Sequence, residues 1–272
     1  MEGNFLVLRE LCDSAVYKTP ISSMTTIKEF LPGIFLTVLR LPDFDVRGAV
    51  IIGSKHAVIW DSLSHPRDML PLRDLLPEEW SLIYSHADWD HVWGTAGLPY
   101  QDKTIIGHAN CLARFSEDVP LELQEKKTAQ PGLWDEVVLI PPTITFEHDL
   151  SLNLGDLTLS LHHLPGHTED CIVGFIQEQG ILLAGDTVET PFPVVNSAGL
   201  IDEWLEGLRN WERDVRVQHI IPSHGALGGR ELIRQNIIYL ENLKSGSPIE
   251  LPDDLDDFYR QTHEDNLFHV KR

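Results

Sequence analysis

The sequence predicts an α+β fold. Short runs of β-forming residues follow one another before any helix appears. They are joined by turn signals rather than by helices, so the sheet begins largely antiparallel. The same order, strands and then helices, occurs in both halves of the chain. Its 272 residues suffice for one large domain or two small ones with a sizeable core. A hydrophobic content of 42% is that of an ordinary globular protein.

In chain order, residues 1–30 read as an N-terminal extension, with little periodicity and many small polar residues. Residues 33–39 are rich in β-formers and predict a strand. Residues 41–48 are turn-like, with Pro42, two Asp and Gly48, and two short strands follow at 49–52 and 57–60. A helix is expected after residues 61–64, capped by Ser64, with Pro66 early, Met69, Leu72, Leu75 and Leu76 as its apolar stripe, and Pro77 ending it. Residues 80–84 are an apolar-aromatic strand. Beyond it, 103–106 is a short strand and 108–115 a short helix, while 117–136, charged and interrupted by Pro120 and Pro131, reads as an insertion or lid loop. A second β run spans 143–163 and turns at Asn153-Leu154-Gly155-Asp156; Leu157, Leu159 and Leu161 alternate with polar residues, as in a half-buried strand. Paired strands are expected at 171–176 and 181–184. A helix at 200–215 carries Trp204, Leu208 and Trp211 on one face, 217–221 is a strand, and a further helix contains Leu232, Ile233, Ile237 and Leu240. Ser245-Gly246-Ser247-Pro248 is linker-like. The main domain is therefore drawn over 31–245, with 246–272 as an acidic C-terminal tail.

Composition narrows the function. The formal net charge of −21 repels nucleic acid and anionic membrane, so a small-molecule substrate is expected and a polynucleotide is not. No run of about 18 apolar residues predicts a membrane span. The N-terminus Met1-Glu2-Gly3-Asn4 lacks a signal-peptide pattern. Cys12, Cys111 and Cys171, an odd set with no close pair, argue against a disulfide framework and for a reducing, cytoplasmic compartment. Oligomeric state stays open.

The chemistry concentrates in Ser85-His86-Ala87-Asp88-Trp89-Asp90-His91, at the end of the apolar strand. Side chains at alternate positions of an extended chain project the same way, and the adjacent Asp90-His91 pair needs a turn. Imidazole and carboxylate together suit zinc, iron or manganese. Further candidate ligands, His167, Asp186 and His224, each sit in a Gly-containing turn after a β run, where the backbone can bend to let side chains converge.

Taken together, His86-Ala-Asp88-Trp-Asp90-His91, Pro165-Gly166-His167-Thr168, Gly185-Asp186 and Ser223-His224-Gly225 resemble the metallo-β-lactamase superfamily in order and context, over residues 33–245. The resemblance implies an αβ/βα four-layer sandwich with two divalent metals between the sheet edges. By matching positions, His86, Asp88 and His167 hold one metal, Asp90, His91 and His224 the other, and Asp186 bridges them. Position 88 departs from the pattern: it is normally His, and related di-iron flavoproteins place Glu there. With two divalent ions and a bridging hydroxide, Asp88 leaves the site formally neutral, where a His would leave it one unit positive; the bound water is then less acidified and a harder ion is favoured. Zinc is expected first, with iron or manganese as alternatives. The resemblance implies a hydrolase of a small ester, thioester, lactone or phosphoester acting through the bridging hydroxide, with Asp90 as the catalytic residue that orients the nucleophile. No G-x-S-x-G is present, and Cys171 lies among strand residues, so no Ser or Cys nucleophile is expected. The alternatives are a non-haem di-iron protein acting on oxygen or nitric oxide, a sensor with a weakened site, or a one-metal site that Asp88 does not join. His162 and His163 read as strand residues beside the site, and Trp89 and Trp93 as packing or pocket residues. His263 and Asn266 belong to a solvated tail unless it folds back on a substrate.

Overall fold

The computed structural model describes residues 25–271; most of the expected N-terminal extension, and Cys12, lie outside them. A first sheet opens with β1 (Thr26–Leu31), β2 (Ile34–Arg40), β3 (Asp45–Ile52) and β4 (Ala57–Trp60), paired antiparallel in order. It continues in parallel through β5 (Trp80–Ile83), β6 (Thr104–His108) and β7 (Ile144–Phe146). The change follows from the connections. Short turns allow antiparallel pairing, whereas a parallel pair needs a crossover, supplied here by the 3-10 segment Pro66–Leu72 between β4 and β5, by α1 (Trp89–Val92) between β5 and β6, and by α2 (Ala109–Arg114) and α3 (Val119–Ala129) between β6 and β7. The second sheet holds β8 (Asp149–Asn153), β9 (Thr158–His163), β10 (Ile172–Ile176), β11 (Ile181–Gly185) and β12 (His219–Pro222) in the order β12-β11-β10-β9-β8. Only its β11–β12 pair is parallel, joined across α4 (Ile201–Arg213). The helices α5 (Arg230–Ser245) and α6 (Asp257–Val270) complete the chain.

Three buried clusters make this a four-layer αβ/βα sandwich. Strand side chains alternate between faces. In β3 and β4, Ala49, Ile51, Val58 and Trp60 point inward and meet Leu159, Leu161, Ile172 and Leu183 of the second sheet. Their neighbours Val46, Val50, Ala57 and Ile59 point outward onto Met69, Trp93, Cys111 and Val119. The outer face of the second sheet packs Val173, Phe175 and Leu182 on Trp204, Leu208, Ile233 and Leu240.

Four expectations change. The helix expected from Ser64 is a 3-10 segment, Pro66–Leu72, capped by His65, because Pro71 has no N–H for an α-helical ladder. The expected lid at 117–136 contains α3, with Val119, Leu123 and Trp134 buried in the core; Pro120 falls in the first turn, where proline is tolerated. The β run at 143–163 divides between the sheets, β7 pairing with β6 and β8 with β9. The segment expected as an acidic tail carries α6; its Tyr259, with Leu255 just before the helix, is buried against the second sheet's helices, while Asp253, Asp254 and Asp257 stay exposed. An acidic average hid an amphipathic helix. Among the described residues, no helix is long and apolar enough to cross a membrane.

The 3-10 segment buries a carboxylate. Asp68, 4% exposed, accepts from Ser64 Oγ at 2.9 Å. Burial pushes its carboxyl up to about 6, with Ser64 and Arg67 opposing. The folded chain therefore binds this proton more tightly than the unfolded chain does. Asp68 favours folding below the ordinary carboxylate range, and that contribution is lost as pH rises through 6. Asp68→Asn keeps an acceptor for Ser64, so it is expected to stabilise the protein at pH 8 by up to about 2 kcal/mol. The gain should vanish near pH 4 in a pH series of denaturant melts; a pH-independent difference would contradict it.

Candidate metal centre

The ends of β4, β5, β9, β11 and β12 meet at one edge of the sandwich. Hydrogen bonds tie the two sheets together there: Ile172 N donates to Ser85 O at 2.9 Å, and Arg47 N to Ser223 O at 2.8 Å. The Arg47 guanidinium also donates to Pro222 O at 2.6 Å and Gly225 O at 2.9 Å. The turn that Asp90-His91 requires is α1, which starts directly after Asp88. Two glycines are dictated by space or backbone. A Cβ on Gly166 would lie 2.2 Å from the Trp204 indole, and Gly185 has φ +54°, turning the chain into Asp186.

All seven sequence-predicted ligand residues come together here. His86, Asp88 and His167 form one group, His86, His91 and Asp186 a second, and Asp90, His91 and His224 a third; within each, the candidate ligand atoms lie within 4.8 Å of one another. Asp186 is central, with Oδ1 3.4 Å from His91 Nε2 and Oδ2 3.3 Å from His224 Nε2, 3.7 Å from His86 Nε2 and 3.8 Å from His167 Nε2. Asp88 Oδ2 lies 3.1 Å from His167 Nε2, and Asp90 Oδ2 3.5 Å from His224 Nε2.

Every imidazole is pinned from behind. His224 Nδ1 donates to Asp45 O at 2.7 Å and His167 Nδ1 to Val194 O at 3.1 Å. The carboxylate of Asp61 accepts from His91 Nδ1 at 2.9 Å. Ser85 Oγ donates to the same carboxylate at 2.7 Å and lies 3.0 Å from His86 Nδ1, from which it can then only accept. A carbonyl or carboxylate only accepts, so the proton sits on each Nδ1 and the Nε2 lone pair faces the carboxylates, as in histidines held for metal binding.

The charges call for a cation. His86 Nε2, His91 Nε2 and Asp186 Oδ1 are buried with no hydrogen-bond partner among the described residues, which is costly unless something else satisfies them. Without an ion, protons stand in. Burial opposes charge on His167 and His224, but Asp88 and Asp186 outweigh it at His167 and push it up to about 9, and Asp186, Glu189 and Asp90 push His224 up to about 10. His91 is raised well above its usual value in the same way by Asp186, Asp90 and Asp61. A set of neutral imidazoles and carboxylates fits a divalent cation.

A comparison with protein families matches residues 44–224 to the "Metallo-beta-lactamase superfamily". The chain belongs to the metallo-β-lactamase superfamily. Two relatives carry the name acyl-coenzyme A thioesterase MBLAC2. The Bos taurus protein is 28% identical over 190 residues, 62% of each chain. The Homo sapiens protein is 29% identical over 175 residues, 56% of this chain and 58% of that one. The chain thus spans about three fifths of the length of the curated relatives it matches. Among solved structures, a metallo-β-lactamase from Pontibacter korlensis superposes with a TM-score of 0.66 at 17% identity, over 80% of this chain and 100% of that one. The metallo-β-lactamase FIM-1 from Pseudomonas aeruginosa, in its mono-zinc form, gives 0.64 at 21% identity, over 84% and 99%. These structures speak for the fold. The superfamily is mostly hydrolytic and uses divalent metals.

Several residues of this metallo-β-lactamase-like centre carry little signal in the sequence. Asp61 and Ser85 orient His86 and His91. Asp61 follows β4 as Asp186 follows β11, a parallel that could have flagged it. Arg114 and Asp170 hold Asp88 and Ala87, and nothing local marks them. Glu189 is buried and accepts from Tyr259 Oη at 2.7 Å. His162 pairs with Asp149, and His163 stacks on His108 at 3.7 Å. Trp93 is buried in the core, whereas Trp89 packs near the centre's mouth against Phe44 at 6.3 Å. His263 bonds Tyr239, and buried Asn266 accepts from Val195 N and donates to Pro193 O, steadying the segment that holds His167. Burial pushes the Cys111 and Cys171 thiols well up, as befits inert core cysteines.

Proposed function

We propose that the protein is a dinuclear metal-dependent hydrolase of a small thioester or similarly activated acyl compound. The observation that carries this reading is the set of four imidazoles, each with Nδ1 against an acceptor at its back and Nε2 presented to the buried Asp90 and Asp186 and the partly buried Asp88. His86, Asp88 and His167 would hold one ion and Asp90, His91 and His224 the other, with Asp186 between them. Zinc suits the donor set, with manganese or iron as the other choices. Divalent ions, when bound, acidify a water and polarise the acyl carbonyl.

The chain's own residues supply the rest. Asp90 accepts a hydrogen bond from the attacking water, orients it and takes its proton. The water oxygen bonds to the acyl carbon, the carbon–sulfur bond breaks, and the thiolate leaves with that proton. Phe44 lies 5.1 Å from the His224 ring and 5.2 Å from Phe258 of α6, and with Trp89 it forms an aromatic wall beside the centre. Such a wall excludes water and holds an apolar acyl group. The relatives named as thioesterases support the thioester bond. A net charge of −21 repels the phosphates of a coenzyme A carrier, so these features select the acyl half.

Protein purified without added metal or chelator is expected to carry two equivalents of zinc or manganese, and Asp88→Ala to lose one. Hydrolysis of short and medium acyl thioesters should stop with chelator and return with zinc. One equivalent or none, unchanged by the substitution, removes the dinuclear assignment. Two irons with a visible absorption band would favour the redox reading.

A further inference from the structure

Asp88 is where the chain departs from the histidine its family pattern places there, and the structure shows what accompanies the change. Its two oxygens face different ways. Oδ2 faces His167 Nε2 at 3.1 Å and His86 Nε2 at 3.5 Å, while Oδ1 accepts from Arg114 Nη2 at 2.6 Å. Arg114 is 13% exposed and is itself immobilised. Its Nη1 donates to Asp170 Oδ1 at 2.9 Å, and its Nη2 and Nε donate to Asp118 at 2.9 and 3.2 Å. The fully buried Asp170 uses its other oxygen to accept from Ala87 N at 2.7 Å. The planar guanidinium is thereby locked to the backbone immediately before Asp88.

We infer that Arg114 is a positioning residue that makes Asp88 present one oxygen to the metal centre, so that the carboxylate takes the place of an imidazole. The inference rests on the reading that His86, Asp88 and His167 hold an ion. A free carboxylate can bind through one oxygen or both. With Oδ1 occupied, only Oδ2 is available, as a histidine offers only Nε2. The guanidinium also offsets part of the charge that Asp88 adds. One-oxygen presentation suits a four-coordinate zinc site; manganese accepts more oxygen ligands.

The test is competition between Zn²⁺ and Mn²⁺ for metal-free protein, together with the visible spectrum of the Co²⁺-loaded form. Arg114→Met frees Oδ1. It should raise the manganese-to-zinc affinity ratio by about tenfold and weaken the Co²⁺ bands as coordination number rises. Because this change leaves Asp170 unpaired in the interior, Arg114→Met/Asp170→Asn is the companion variant, in which the amide oxygen still accepts from Ala87. In an Asp88→His background the same replacements should move neither readout. A companion variant that matches wild type overturns the assignment, as does an equal effect in the Asp88→His background. Wild-type protein that takes up no ion overturns the underlying reading as well.

Discussion

Asp90→Asn is expected to lower kcat/KM for thioester hydrolysis by about 10²–10⁴-fold with little change in thermal stability. The side chains have the same shape, and Asp90 is 6% exposed at the start of a four-residue helix, so packing survives. What changes is chemistry at the oxygens. Oδ1 lies 3.7 Å from His91 Nε2 and Oδ2 3.5 Å from His224 Nε2, so the carboxylate faces the centre with both atoms. An amide turns one acceptor into a donor and cannot take a proton from water. It also removes one negative charge from the Asp90, His91 and His224 group, which should weaken its ion. The loss should fall on kcat more than on KM, because the aromatic wall of Phe44, Trp89 and Phe258 that holds the acyl group is untouched. Steady-state kinetics on metal-saturated protein separates the effects. Activity within threefold of wild type on a fully loaded variant would remove Asp90 from the mechanism.

The candidate metal centre was more legible in the sequence than the architecture around it. His86, Asp88, Asp90, His91, His167, Asp186 and His224 announce themselves because they gather in short turns that follow strands, where polar residues interrupt the β pattern. Strand positions were legible for a related reason: β4 and β9 carry plain alternation or a short apolar run bounded by turns. The residues that orient the ligands were not. Arg114 reaches Asp88 across 26 positions and Asp170 across 56, and an arginine at the end of a short helix looks like a solvated one. Likewise α6 averages to an acidic segment, although its buried Tyr259, Thr262 and Asn266 recur at helical spacing. Contacts set by tertiary packing leave no local trace, whereas candidate ligands in the turns after strands do.

Asp61→Asn is the second large effect, and it acts through a proton. Asp61 is fully buried and has φ 63°, a left-handed conformation that Asn adopts as readily as Asp, so the backbone should not move. Its carboxylate accepts from Ser85 N at 2.7 Å, from Ser85 Oγ at 2.7 Å and from His91 Nδ1 at 2.9 Å. An amide has one acceptor and one donor end. If its nitrogen faces His91, the imidazole must accept at Nδ1 and carry its proton on Nε2, the atom that should face the ion. If the amide is turned over, its nitrogen opposes the backbone N–H of Ser85, leaving a buried donor unsatisfied. Either arrangement spoils one interaction, and relief through the His91 tautomer leaves the main chain intact. Zinc affinity at the Asp90, His91 and His224 group should therefore fall about 10- to 100-fold. A wrong imidazole tautomer can lower kcat by up to about 10⁴-fold. Stoichiometric titration of metal-free protein with zinc reads the first effect, and kinetics at saturating zinc the second. Unaltered zinc affinity together with unaltered kcat would mean that Asp61 does not set the His91 tautomer. Weakened affinity with a restored rate at saturating zinc would confine its role to holding the ion.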